Sequence, residues 1–114
     1  MDEKIKELEK LASGQRTHLA KCVLENSEEK NIRHGDIILG VMSYTQGLEL
    51  ALSIAKGEKS QTIDEAIEER QKKMKKDEDE NPQYYKQMIN PFRGIIHCDN
   101  QFIGGLRTAQ KILL

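Results

Sequence analysis

The sequence predicts an all-α protein, a compact bundle of four or five helices forming a single helical domain over residues 1–114. Three observations predict it. Apolar residues recur three and four apart through long stretches, helix-capping residues stand where several of those stretches begin, and aromatic residues are held to 4% with no Trp. An aliphatic core poor in aromatic side chains suits helices better than sheets. A chain of 114 residues is long enough to bury such a core without disulfides or metal.

Residues 2–26 place Ile5, Leu8, Ala12, Gln15, Leu19 and Cys22 along one seam, with Val23 beside it, which predicts a first helix. Ser13-Gly14 is its weak point, because an interior Gly costs about 1 kcal/mol relative to Ala. A seam this long overrides that cost, so one continuous helix is expected. The polar run NSEEKNIRHGD that follows reads as a loop, with Asp36 as the N-cap of the second helix.

The second helix, expected over 36–56, carries no charge between Ile37 and Leu48 in a chain that is 32% charged. That marks it as the most buried element. Ile37, Val41, Leu48, Leu52 and Ala55 form its bulk, and Gly40, Ser43, Gly47 and Ala51 form a small-residue stripe that lets another backbone approach. Gly57 is placed as its C′ residue in the left-handed region. Thr62-Ile63-Asp64-Glu65 fits the capping box that opens a third helix holding Ile63, Ile67 and Met74. The charge block Lys76 to Glu80 is expected to be a mobile connection.

Asn81-Pro82 and Asn90-Pro91 each pair a capping Asn with Pro at the first helical position, predicting a short fourth helix, 82–89, and a long fifth, 91–113. The fifth has Asp99 as its lone charge between Gly94 and Leu106. It should form the central pair with helix 36–56, antiparallel or crossed. Gly94 and Gly105 would face Gly40, Ser43 and Gly47, and the contact would lie within the chain or across a dimer axis.

Charge and motif content narrow the function classes. Lys+Arg 18 against Asp+Glu 19 leaves no global positive field for nucleic acid, and the cluster Lys72, Lys73, Lys75 and Lys76 abuts Asp77 to Glu80, which cancels most of it. Nucleic acid is therefore not an expected partner. The two cysteines, Cys22 and Cys98, do not form the dense pattern of a secreted scaffold, and the charged N-terminus lacks a signal-peptide core. With no run expected to span a bilayer, a cytoplasmic location follows. Zinc-type ligands occur at His18 and Cys22, an i, i+4 pair, and at His97, Cys98 and Asp99, but they are split between distant helices, so no metal or cofactor is expected. Glycine-rich phosphate loops do not occur, and the acidic pairs Glu28-Glu29 and Glu68-Glu69 lie in solvated stretches, so no catalytic residues and no enzyme activity are expected.

The expected function is that of a non-enzymatic regulatory or inhibitory protein, a homo-oligomer that binds a protein partner through exposed helical surface. The alternative is a protein that sequesters a small anionic ligand such as a nucleotide, between the central helices or at a subunit interface. Tyr44, Arg93, His97, Asn100, Gln101 and Arg107 are the candidate ligand contacts, the two arginines for oxygens and Tyr44 for stacking.

Overall fold

The computed structural model describes residues 2–29, 32–82 and 94–114, and side chains over 3–25, 38–82 and 96–114. Among the described residues there are four helices and no strand: α1 (Asp2–Glu29), α2 (Ile32–Ala55), α3 (Ile63–Glu80) and α4 (Gly94–Leu113). The all-α bundle expected from the sequence is the observed one.

Helix α1 runs unbroken through Gly14, which is exposed and would meet nothing within 4 Å if it carried a Cβ. Burial of Leu8, Ala12 and Leu19 along its seam supplies the stabilisation that overrides that glycine. The expected loop between the first two helices shrinks, because α1 continues to Glu29 and α2 already begins at Ile32. Asp36 therefore lies inside α2 and is not its N-cap. Polarity marked this stretch as a loop, but Glu and Lys are good helix formers, and a polar run is equally at home on solvated helix.

Helix α2 stops where expected. Gly57 has φ +79°, its N–H donates to the Ile54 carbonyl at 3.0 Å, and the Glu58 N–H donates to Ser53 at 3.0 Å, the paired bonds of a Schellman cap. Thr62 then caps α3 reciprocally: the Glu65 N–H donates to Thr62 Oγ1 at 3.1 Å and the Thr62 N–H to Glu65 Oε1 at 3.3 Å. Thr62→Ala should lower stability by about 1 kcal/mol, read as a lower urea midpoint at unchanged slope.

The block Lys76 to Glu80 is the last turn of α3 and not a connection. Its change of sign creates i, i+4 ion pairs, Lys73 with Asp77 at 3.1 Å and Lys76 with Glu80 at 3.9 Å, which support a helix. The expected short helix 82–89, and the Asn90-Pro91 start of the next, lie outside the described residues apart from Pro82. Asn81 is the C-cap of α3, its N–H donating to Asp77 at 3.0 Å.

Ion pairs and close contacts fix the helix directions. Glu9 meets Lys56 and Arg16 meets Glu49, so α1 is antiparallel to α2. Gln110 of α4 donates to Asp64 near the start of α3, and Arg70 further along α3 meets Asp99 nearer the start of α4, so these two are also antiparallel. Helix α4 runs in the same sense as α2: Gly40 lies beside His97, and Gly47 lies against Gly105. The antiparallel alternative for the central pair is thus corrected. Helix α3 carries the chain back, so the helices on either side of it share a direction.

The α2–α4 crossing is centred on Gly47 and Gly105. A Cβ on Gly47 would collide with the Phe102 carbonyl oxygen and reach 3.2 Å from Gly105 Cα, and a Cβ on Gly105 would collide with the Tyr44 carbonyl oxygen. The small-residue stripe therefore closes a contact within the chain at these two positions. Around it Leu48, Leu106 and Leu8 are fully buried, with Ala12, Ala51, Ala66 and Ala109 filling the narrow gaps. Buried Ser43 and Thr45 each donate to a carbonyl one turn back, Leu39 at 2.9 Å and Val41 at 2.8 Å.

Helix α2 corrects one further expectation. Ile38–Ala55 is long and apolar enough, by length and composition, to cross a membrane. In this fold 39% of that window is buried, packed against α1 on one side and α4 on another, and its Glu49 is ion-paired to Arg16.

The resulting body is flat, 43 × 38 × 19 Å, with a radius of gyration of 15.3 Å. A compact chain of this length is expected near 13 Å. Its accessible surface is 7856 Å², against about 6,400 Å² from the scaling for compact monomers of this mass.

Candidate functional site

The candidate ligand residues are carried mainly by α4, and the helix distributes them over two faces. His97 and Gln101 are half-buried in the seam beside Gly40: a Cβ on that glycine would lie 2.6 Å from His97 Nε2 and 3.7 Å from Gln101 Cγ. Tyr44 closes the same seam from α2, its hydroxyl donating to Thr108 Oγ1 at 3.1 Å while Thr108 donates to the Gly104 carbonyl at 2.9 Å. Asn100 and Arg107 are exposed and share the outer face of α4, turned roughly 80–100° from the middle of that seam at about 100° per residue. Arg93 lies outside the described residues. The structure thus places His97 and Gln101 together beside Gly40, puts Tyr44 further along the same α2–α4 seam against Gly104 and Thr108, and turns Asn100 and Arg107 to another face.

Of the packing residues, Gly40 receives the His97 ring, Ser43 is buried, and Gly47 and Gly105 make the backbone contact described above. Gly94 is the first described residue of α4.

A second polar centre is built on Asp99, which the sequence marked as a lone charge in an apolar helix without indicating a partner. Its residue is 2% exposed. Arg70 Nη1 donates to Oδ1 at 2.8 Å and Lys73 Nζ to Oδ2 at 3.4 Å, so two cations spaced i, i+3 on α3 hold both carboxylate oxygens. The Arg70 guanidinium also lies 4.0 Å from the centre of the Phe102 ring, a cation–π contact. Burial pulls the Lys73 ammonium down, but its bonds to Asp77 and Asp99 outweigh that, and its pKa stands above the ordinary lysine value. Next to this network is a cavity of about 270 Å³ lined by Leu50, Gln61, Ala66, Glu69, Arg70, Lys73 and Phe102. Its two cations are matched by Asp99, Asp77 and Glu69, which leaves no positive surplus for an anion.

A larger, more open groove of about 610 Å³ lies where α2, α3 and α4 meet at one end of the body. Ile54, Ile63, Leu113 and Leu114 make it apolar, with Gln61, Thr62, Asp64 and Gln110 on its polar edge. Leu114 is 90% exposed, and Leu39 and Val23 are about half exposed elsewhere.

On α1, His18 and Cys22 touch: Sγ is 3.6 Å from Nε2, with His18 exposed and Cys22 half-buried. The i, i+4 spacing signalled this contact in the sequence. Among the described residues, no three of His, Cys, Asp and Glu gather as a metal-binding group.

Comparison with protein-family models, curated proteins and solved structures finds no match. What defines the chain is therefore its own geometry: an all-α bundle with a glycine-sealed central crossing, a buried ion network and an open apolar groove.

Proposed function

We propose that this is a non-enzymatic binding protein, regulatory or inhibitory in action, that self-associates and engages a protein partner through exposed helical surface. The observation that carries the reading is the surplus of surface on a flat body. The accessible area of 7856 Å² exceeds the compact-monomer expectation by about 1,500 Å², and a standard interface covers about 800 Å² on each partner. The open apolar groove lined by Ile54, Ile63 and Leu113 supplies a place for an apolar anchor, and its polar edge fits the usual anatomy of such contacts.

The rival reading, a small anionic ligand, has less support. Its contacts would have to converge, whereas Asn100 and Arg107 lie on a different face from Tyr44, His97 and Gln101, and Arg70 and Lys73 are already matched by carboxylates.

The test is photocrosslinking in the producing cells, with benzoylphenylalanine placed at Leu113 in the groove or at Lys59 in the α2–α3 turn. The proposal expects a discrete protein adduct from position 113, to a second copy or to one other protein, and none from position 59. Equal, diffuse labelling at both positions would count against it.

A further inference from the structure

We propose that the cavity between α2, α3 and α4 binds a free α-amino acid with an apolar side chain, in its zwitterionic form. The volume of about 270 Å³ lies just below the range of pockets that hold drug-sized molecules, which points to a ligand of amino-acid size. Ala66, Glu69, Arg70 and Lys73 stand three or four residues apart, so α3 turns one face to the cavity and sets a carboxylate within a helical turn of two cations. Leu50 of α2 and Phe102 of α4 complete the wall with apolar surface.

The donors and acceptors left over in this lining decide the class of ligand. Asp99 takes one N–H of the Arg70 guanidinium, and Asp99 and Asp77 each take an N–H of the Lys73 ammonium. A guanidinium carries five N–H donors and an ammonium three, so both side chains keep donors for a further carboxylate. Among the described residues Glu69 makes no ion pair, so its oxygens are open to a donor. A simple anion would find both cations neutralised and Glu69 opposing it, and a simple cation would meet Arg70 and Lys73. A zwitterion adds no net charge and satisfies both signs at once. Its carboxylate accepts from Arg70 and Lys73, its ammonium donates to Glu69 and to the Gln61 side-chain carbonyl, and its side chain lies on Leu50, Ala66 and Phe102. The carboxylate end is preorganised, because buried Asp99 holds Arg70 and Lys73 from one side while their side chains stay open to solvent on the other.

The site needs no second copy of the chain, and its test is independent of self-association. Amide chemical shifts of the full chain are followed by NMR during titration with L-leucine and, as a larger apolar side chain, L-phenylalanine. Two analogues of leucine each lack one charge: 4-methylpentanoate has no ammonium and L-leucinamide no carboxylate. The expected result is saturating shifts, centred on residues 66–73 and on Leu50 and Phe102, with either analogue weaker than leucine by at least about tenfold, the worth of a hydrogen bond to a charged group. Glu69→Gln, a change at an exposed position, should weaken leucine by a similar factor without weakening 4-methylpentanoate or altering the helical CD signal. No saturating shift with either amino acid, or shifts centred elsewhere, would overturn the site. An analogue bound as tightly as leucine, or a silent Glu69→Gln, would overturn the zwitterionic ligand.

Discussion

Gly47→Ala is expected to destabilise the bundle by about 1–3 kcal/mol or more, one of the two largest effects of a single change in this chain. The reason is that the obstacle is backbone: the new methyl would meet the Phe102 carbonyl oxygen and the Gly105 Cα, neither of which can rotate away. Separating α2 from α4 would relieve the collision and would also loosen Leu48, Leu106 and Ala109, which are fully buried around that crossing. Gly14→Ala supplies the contrast. The same chemical change on the exposed face of α1 meets nothing within 4 Å, and should stabilise by up to about 1 kcal/mol through helix propensity. Urea unfolding followed by CD checks both. A Gly47→Ala protein as stable as its parent would contradict the glycine-sealed crossing.

The second large effect is Arg70→Ala, which should cost about 3 kcal/mol. Removing one partner of a buried pair leaves an uncompensated charge, at a typical cost of roughly 3–5 kcal/mol, and the remaining Lys73 bond at 3.4 Å places this case at the lower end. The truncation also uncovers the Phe102 ring. Asp99→Asn should cost less, because the groups it leaves unmatched, Arg70 and Lys73, have side chains 31% and 49% exposed and can be solvated. The order of the two variants decides the point. If Asp99→Asn proves the more damaging, the carboxylate matters for something other than its ion pairs.

Much of this fold was legible because its signals are local. The Thr62–Glu65 capping box, the Gly57 cap and the seam through Leu8, Ala12 and Leu19 each depend on residues within a turn or two of one another. The stripe of Gly40, Ser43 and Gly47 was also readable, since small residues on an apolar helix imply a close neighbour. What the sequence could not supply was direction and partnership. Polarity alone does not separate loop from helix, and residues 26–29, 32–36 and Lys76 to Glu80 are helical. The parallel sense of α2 and α4 depends on the path of the chain through α3, which no periodicity encodes. Asp99 stood out as a lone charge, but its partners Arg70 and Lys73 are 29 and 26 residues away on another helix.

The candidate contacts were legible in kind and not in grouping. A helix places residues three apart on neighbouring sides, so His97 and Gln101 enter the seam with Tyr44 while Asn100 turns outward with Arg107. The groove at Ile54, Ile63 and Leu113 gave no sequence signal, because its residues come from three separate helices and look individually like ordinary core positions.

If the proposed function holds, this flat bundle buries its surplus surface against other molecules, beginning with copies of itself. Native mass spectrometry of the full chain as purified from cells, run across a range of concentrations, tests it most directly because subunit number and retained mass are read together. The account predicts a discrete symmetric oligomer, with or without a retained partner. A monomer with no added mass at every concentration would contradict self-association, and a monomer retaining a small anion would favour the rival reading.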